Sequence, residues 1–446
     1  MVETTLISEP TEKFFGRSMF IMLGLLGTFA LLPVQLVRLP LQMDPVDVWV
    51  VTVLFSFTLA FVAGFQTLTV SVSYVLAMWL ILIASLASAF AAVDRMDSLV
   101  VVLKEVYLFA TFVIITTLLS RLSVRNFRLV MMVWLGTVVL HGMLIISEFL
   151  VPEIYRYVAG LADQPISYEN FRPSGLFFSP KAGNANKAAV FQLLGFVPLV
   201  LAKTSRRTSI AFGLVLFSSI LVTGSMGTTL AFMSGLIVAV ASIAFFGKHF
   251  FYMVNLLVRS VFAIAIVGAV LLFLASDTQK YQDHFERILL GRAEKSSEGR
   301  FSLWQRGLEA IRDSENIVLG IGPENFRNVD VLEKQLHNDL LAFTVERGLL
   351  GVLGLLVLVG VAVYRAFYWL KIGFSGGQDA GLTAVIFLSA FAAVLVVSLT
   401  HQVFHCREIW LVLASQEALI AHHERNAAAD LRSEREMQRK EVWGES

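Results

Sequence analysis

Long runs of apolar residues constrain the fold of this chain more than any other feature of its sequence. A helix needs about twenty apolar residues to cross the hydrocarbon core of a bilayer, and many runs here approach that length. Only 15% of the 446 residues are charged, although a soluble chain carries roughly a quarter. Inside a bilayer the backbone must satisfy its own hydrogen bonds, so the runs are predicted to be helices. The predicted fold class is therefore an all-α polytopic membrane protein.

Twelve apolar segments are predicted to span the membrane, and eleven or thirteen spans remain open because three of the runs are short. They cover residues 18–36, 48–65, 72–90, 99–119, 127–150, 187–201, 208–222, 228–246, 256–275, 348–370, 380–399 and 408–421. Lys and Arg in short connections predict the orientation, because cytoplasmic loops carry an excess of them. Arg121, Arg125 and Arg128, for example, fall between spans four and five. This pattern predicts that both termini are cytoplasmic.

The remaining polar residues concentrate in two long loops on the opposite side of the membrane. The predicted division of the chain is residues 1–276 as spans one to nine with the first loop at 151–186, residues 277–347 as a large outer loop, residues 348–421 as spans ten to twelve, and residues 422–446 as a cytoplasmic tail. Long loops in compact proteins are usually functional. We therefore expect the chemistry of this protein in the two outer loops.

The large outer loop is predicted to contain two helices. Residues 300–313 have an amphipathic pattern that places Phe301, Trp304, Leu308 and Ile311 on one face. The second predicted helix covers residues 331–347 and runs into span ten.

His337 is the candidate general base. It is followed by Asn338 and Asp339, and it lies four residues after Glu333, so a helix would place Glu333 and His337 on one face. A carboxylate beside an imidazole raises its basicity and fixes its tautomer, which suits a base that titrates near neutral pH. A solvated loop histidine without a catalytic role is the alternative.

Arg300 and Arg172 are the candidate anion-binding residues, one in each outer loop. A guanidinium binds phosphate oxygens in a bidentate way and stays charged at every relevant pH. Two such groups above a membrane surface would suit the diphosphate headgroup of a lipid. The alternative for each is a loop arginine paired with a neighbouring acid, such as Glu298 for Arg300.

Other classes of site find little support in the sequence. A net charge of +1 gives no electrostatic case for nucleic acid, and a single cysteine, Cys406, excludes an internal disulfide and a cysteine-built metal site. His401 and His405 have helical spacing, but two ligands do not make a metal site, so they are interpreted as interfacial residues. No metal site is predicted.

Among the ionisable residues inside predicted spans are Lys104 and Glu105 in span four and His141 and Glu148 in span five, most of them near the outer interface. Ionisable groups inside a membrane are functional candidates by default. Side chains that reach from the hydrocarbon to the interface explain the same pattern. Both interpretations stay open.

Several short motifs follow one another in an order that resembles one family. They are Arg172-Pro-Ser-Gly-Leu-Phe with Asn184-Ala-Asn186, Gly299-Arg300 with Trp304, Gly320-Ile-Gly322, His337-Asn338-Asp339 and Glu346-Arg-Gly348-Leu-Leu-Gly351. Together they are similar to the O-antigen ligase and O-antigen polymerase superfamily of bacterial inner membranes.

The resemblance implies a GT-C-like fold and a glycosyltransferase that works on the periplasmic side without metal or cofactor. Its donor would be a glycan on undecaprenyl diphosphate. By position, His337 would activate the acceptor hydroxyl, while Arg300 and Arg172 would hold the diphosphate. Asn338, Glu346, Glu333 and Trp304 would be supporting residues.

One position departs from the family pattern. Family members usually carry an arginine at the outer tip between spans seven and eight, where this chain has Met226. A thioether cannot bind phosphate, so Lys187 or Arg172 would take over that contact. Otherwise the donor geometry differs, or the protein is inactive or altered at this site.

The expected function is that of an O-antigen ligase, which passes the glycan to a hydroxyl of lipid A-core with inversion at the anomeric carbon. An O-antigen or exopolysaccharide polymerase of the same superfamily, whose acceptor is another lipid-linked glycan, is the first alternative. A polytopic transporter or flippase of polysaccharide precursors is the second, because twelve spans are also common in transporters. A non-catalytic scaffold is the third.

Overall fold

The structure is a computed structural model that describes residues 11–33, 45–62, 68–151, 153–154, 157, 173–179, 182–246, 291–313, 316–329, 335–375 and 378–443. Over these residues the protein is almost wholly helical. The helices are α1 (Thr11–Leu31), α2 (Pro45–Val62), α3 (Val72–Ala91), α4 (Arg95–Ser120), α5 (Val124–Leu150), α6 (Ala185–Leu194), α7 (Phe196–Leu201), α8 (Arg206–Val222), α9 (Met226–Phe246), α10 (Gly291–Asp313), α11 (Phe326–Val329), α12 (Asp339–Ser375), α13 (Gln378–Ser398) and α14 (Arg407–Trp443). A hairpin of β1 (Phe178–Ser179) and β2 (Ala182–Gly183) precedes α6.

Short polar residues mark where the helices begin. Asp94 accepts a hydrogen bond from the N–H of Asp97 at 3.0 Å and caps α4, and Asn184 caps α6 in the same way. Ser123 and Ser205 do so for α5 and α8. Such caps satisfy backbone donors that a helix leaves unpaired in its first turn.

Large aromatic side chains fill the centre of the bundle. Trp134, Trp410 and Phe112 are almost completely buried, and the ring of Trp410 packs against Phe109 with centroids 5.0 Å apart. Around this core, α9 packs along α13, α12 packs between α3 and α13, and α14 packs along α4. The bundle therefore joins early and late helices of the chain.

Six helices in the described part are long and apolar enough to cross a membrane, namely α3, α4, α5, α9, α12 and α13. This confirms the prediction of an all-α membrane protein, whereas the count of twelve spans stays a prediction. The predicted sixth span is divided into α6 and α7 at Gly195. The predicted ninth span, residues 256–275, lies outside the described residues.

The bundle has two ends, the site end and the tail end. The site end carries the α3–α4 turn and the first turns of α6, α9, α12 and α14, together with the α13–α14 turn, residues 399–406. The tail end carries the α4–α5 turn and the part of α14 from about Glu417 onward, where His422 Nε2 lies 3.3 Å from the carbonyl of Leu119. The motifs of the sequence fall at the site end.

The predicted second helix of the large outer loop is shorter than expected. Residues 335–338 form a turn, and α12 begins only at Asp339. The helix then continues into the membrane-spanning part, but with a kink at Gly348, whose φ of +62° and ψ of −161° are not helical. Because essentially only glycine adopts this conformation, the kink is specified by that residue.

Candidate functional site

His337 lies on an exposed turn immediately before α12. Its backbone φ is +50°, in the left-handed region that residues other than glycine rarely adopt. Trp304 Nε1 donates to the carbonyl of Leu336 at 3.1 Å, and Asn338 Oδ1 accepts the N–H of Leu341 at 3.0 Å. Leu336 and Asn338 are buried, so the backbone is fixed on both sides of the exposed His337.

Arg300 lies on α10 one helical turn before Trp304, and residues four apart share a helix face. Its guanidinium is partly buried, and desolvation lowers its pKa, although an arginine stays charged at neutral pH. Because Trp304 is bonded to Leu336, this face of α10 is turned toward the turn that carries His337. The structure thus brings Arg300, Trp304 and His337 to one region, and their roles stay predictions.

The buried stripe of α10 is not the predicted apolar face as a whole. Leu303, Gly307 and Ile311 are buried, and only Ile311 of these belongs to that face. Phe301 and Leu308, which belong to it as well, are 72% and 52% exposed. The helix packs through the stripe that contains the small Gly307, because that side permits the closest approach.

The two glycine motifs of the large outer loop pack against each other. In the 320–322 turn, the N–H of Gly322 donates to the carbonyl of Glu346 at 2.9 Å. A Cβ on Gly348 would lie 2.3 Å from the carbonyl oxygen of Val318, so the two chain segments approach as closely as glycine allows. The kink of α12 is therefore locked against this turn.

Asp339, the first residue of α12, holds the α13–α14 turn. Its Oδ2 accepts the N–H of Val403 at 2.9 Å and that of Phe404 at 3.2 Å. In the same turn, His401 is only 7% exposed, and its Nδ1 lies 2.8 Å from Thr400 Oγ1. The packing of the turn therefore encloses the ring of His401, and its position at the interface stays a prediction.

Two later residues of this turn also face inward. His405 is partly buried, and its Nε2 lies 3.6 Å from Oε1 of the buried Glu105. Burial raises the pKa of the Cys406 thiol to about 12. The thiol is therefore neutral at physiological pH and is no nucleophile, since the thiolate is the reactive form.

A buried ionic cluster lies directly beneath the kink of α12. Arg347 Nη2 lies 2.6 Å from Glu105 Oε1, its Nε donates to Ser85 Oγ at 2.9 Å, and its Nη1 lies 3.3 Å from Glu346 Oε2. The guanidinium carbon also lies 4.4 Å from the centroid of Phe343. Arg347 and Glu105 are 1% and 0% exposed, respectively. Glu346, a predicted supporting residue, is thus a partner of Arg347.

Sequence reasoning missed most of this cluster. For Glu105 the sequence allows either a function or a side chain that reaches the interface, and its complete burial excludes the second interpretation. Nothing in the residue pattern distinguishes Arg347, although it lies inside the Glu346–Gly351 motif. The signal in the sequence that could have pointed to the cluster is the carboxylate of Glu105 in the predicted span four, because a buried charge requires a partner of opposite sign.

A second buried polar cluster supports the first outer loop. Glu148 Oε2 accepts the N–H groups of Ser174 and Gly175 at 2.9 and 3.0 Å. His141 Nδ1 lies 2.9 Å from Gln192 Nε2, and both side chains are buried. Both ionisable side chains are therefore enclosed by the protein, Glu148 against the first outer loop and His141 against α6.

Three further predicted site residues lie in or beside the two outer loops. Arg172 and Glu333 lie outside the described residues. Lys187 lies in the first turn of α6, where its N–H donates to the capping Asn184 at 3.1 Å. Its ammonium lies 5.5 Å from the centroid of Phe177, within the range of a cation–π contact.

Met226 begins α9 at the site end and is 43% exposed. Next to it, a Cβ on Gly227 would lie 2.2 Å from Thr400 Oγ1 and 2.9 Å from His401 Cε1. The departure from the family pattern therefore lies beside the α13–α14 turn.

Within the described part of the chain, no group of three or more His, Cys, Asp or Glu is arranged to hold a metal ion. Metal independence stays a prediction.

Residues 211–356 of this chain match the family of O-antigen ligases (Wzy_C). This match confirms the resemblance to the O-antigen ligase superfamily that the motifs indicate. It includes Met226, Arg300, His337 and Glu346, whereas Glu105 and Lys187 lie before it. No curated protein matched the chain.

Proposed function

We propose that the protein transfers a glycan from undecaprenyl diphosphate to a hydroxyl group of lipid A-core on the periplasmic face of the bacterial inner membrane. The match of residues 211–356 to the O-antigen ligases carries this proposal. The location of Arg300, His337 and the first turn of α6 at one end of an apolar bundle supports it. Both proposed substrates are amphiphiles, and an end of a membrane bundle can accept their headgroups while their chains stay in lipid.

Cationic side chains hold the diphosphate in this proposal. Arg300 supplies a guanidinium that stays charged when partly buried, and Lys187 supplies an ammonium from the first turn of α6. Arg172 is proposed as the third cation. Such groups stabilise the negative charge that develops on the leaving diphosphate, and this effect is larger in a site from which water is excluded.

His337 acts as the general base. The neutral imidazole accepts the proton of the acceptor hydroxyl while the oxygen attacks the anomeric carbon. The new glycosidic bond forms on the face opposite the diphosphate, whose bond to that carbon breaks, so the configuration inverts. Undecaprenyl diphosphate leaves with the bonding electron pair, and the proton remains on His337. Holding both amphiphiles side by side contributes a further gain through orientation.

A polymerase of the same superfamily would use the same residues with a different acceptor. The residues described here bind the donor and activate a hydroxyl, and they do not select between lipid A-core and another lipid-linked glycan. A transporter or flippase would instead require a polar path through the bundle. The buried charges of the site end are tied to each other, as in the pair of Arg347 and Glu105, which favours a rigid surface site.

The glycolipid profile of a deletion strain tests this function. We expect lipid A-core without long O-chain, together with accumulated undecaprenyl-linked polymer, and restoration by the wild-type gene. Core bearing a single repeat would assign the protein as a polymerase. An unchanged profile would refute the proposed function. Complementation by a His337→Ala variant as complete as that by wild type would instead refute the role of His337 as the base.

A further inference from the structure

The first part of α12, from Asp339 to Arg347, is a short helical segment between His337 and the kink. At its start, Asp339 accepts two N–H groups of the α13–α14 turn, from Val403 and Phe404. At its end, Arg347 is bound to Glu105 on α4 at 2.6 Å. The segment is therefore fastened at both ends to other parts of the bundle.

One carboxylate is common to both attachments. Glu105 Oε1 binds Arg347, and the same oxygen lies 3.6 Å from His405 Nε2. His405 belongs to the turn whose N–H groups hold Asp339. Glu105 thus links the end of the segment directly and its start through the α13–α14 turn.

We propose that Glu105 is a positioning residue that fixes His337 through these two links. The proposal rests on the proposed function of His337 as the base. A fully buried ion pair is weak evidence for a role in stability, because the desolvation of both charges offsets their attraction. The geometry of a buried ion pair, in contrast, admits few arrangements of the two side chains. A displacement of about 1 Å at a reacting group can lower a rate about 10²-fold.

Glycan transfer by the purified, lipid-reconstituted protein is the first test. We compare Glu105→Gln with Glu417→Gln, which breaks a second Arg–Glu pair of the same helix α12, at the tail end. We expect Glu105→Gln to lower kcat per folded protein by about 10²-fold with little change in the KM of the donor. Glu417→Gln should leave both values near wild type. Equal effects of the two variants, or an unchanged kcat in Glu105→Gln, would overturn the proposal.

A spin label gives a readout that needs no activity. Cys406 is the sole cysteine, so Leu340→Cys in a Cys406→Ala background accepts one nitroxide, on the exposed face of the first turn of α12. We expect the label to become more mobile with Glu105→Gln and to remain unchanged with Glu417→Gln. An unchanged label in Glu105→Gln would overturn the positioning role, even if the wild type shows no glycan transfer. A wild type without transfer, but with the expected change of the label, would refute only the proposed function.

Glu105→Asp keeps the experiment decisive if Glu105→Gln does not fold. This variant keeps the charge and draws the carboxylate back by one methylene group. We expect an intermediate loss of kcat and an intermediate label mobility. Wild-type values for both would count against Glu105 as a positioning residue.

Discussion

The two ends of α12 each carry an arginine paired with a glutamate of another helix, yet the two pairs differ in their surroundings. At the site end, Arg347 and Glu105 are 1% and 0% exposed, and Ser85 and Glu346 complete the arginine's contacts. At the tail end, Arg365 binds Glu417 through two hydrogen bonds of 2.7 and 2.8 Å and remains 16% exposed.

The difference shows which end is built for a fixed geometry. At the tail end a bidentate pair joins two regular helices, and water can reach the arginine. At the site end the helix is kinked at Gly348, the pair is sealed from water, and His337 lies on a left-handed turn. Strained backbone persists only where the surroundings hold it, and such strain is concentrated at functional sites.

The largest effect is expected from the proposed base. His337→Ala should lower glycan transfer by about 10²–10⁴-fold, because the acceptor hydroxyl loses its proton acceptor. His423→Ala at the tail end, whose ring packs against Trp369, should keep wild-type transfer. The measurement is transfer by purified protein in lipid vesicles, with folding checked by circular dichroism. Wild-type transfer in the His337 variant would remove the base assignment.

The next effect concerns stability and compares the two arginines directly. Arg347→Met leaves the carboxylates of Glu105 and Glu346 buried without their cation, which should cost about 3–5 kcal/mol. Arg365→Met loses charged hydrogen bonds in a less enclosed place, at about 1.5–3 kcal/mol. Unfolding in mixed detergent micelles measures both values. A greater loss in Arg365→Met would reverse the comparison.

The proposed donor contact should act on the rate and not on folding. Arg300→Ala should lower kcat/KM by about 10–100-fold, the equivalent of one charged hydrogen bond of about 1.5–3 kcal/mol. Arg312→Ala, three turns later on α10 and exposed, is the control and should stay close to wild type. If both variants lose activity equally, Arg300 contributes only to the general charge of the surface.

Gly348 lies at the kink of α12 and Gly360 in the regular part of the same helix, so alanine substitutions at the two positions compare these parts. Gly348→Ala should destabilise the protein by about 1–3 kcal/mol or more, since its φ is +62° and a Cβ would lie 2.3 Å from Val318 O. A Cβ on Gly360 would meet no atom of the described residues within 4 Å, so Gly360→Ala should stabilise the helix by up to about 1 kcal/mol. Thermal unfolding in detergent distinguishes the two signs, and a tolerated Gly348→Ala would mean that the kink is not fixed by its neighbours.

Much of the fold could be predicted from the sequence because a bilayer leaves few choices for the backbone. The predicted span at residues 72–90 and the helix α3 (Val72–Ala91) agree within one residue, and the predicted span at 127–150 lies within α5 (Val124–Leu150). In the loops this constraint is missing. There the residue pattern predicts too early a start for α12, and it does not show that Phe301 and Leu308 on the apolar face of α10 are exposed.

The candidate site divides in the same way. Motif order is enough to single out Arg300, His337 and Glu346, and the family match covers all three. It cannot show that Glu346 binds Arg347, or that Arg347 binds a carboxylate 242 positions earlier in the chain. Sequence spacing describes neighbours on one helix, while Glu105 and Arg347 lie on different helices.

The sequence by itself determined that the chain is a helical membrane protein, because apolar length and charge deficit follow from composition alone. Only the tertiary structure decided which ionisable residues are buried and which charges they meet. Glu105, His141 and Glu148 look alike in the sequence, as ionisable groups inside predicted spans. The packing of the helices gives each of these residues a different partner. The energy of a buried charge depends on the partners that the fold brings to it.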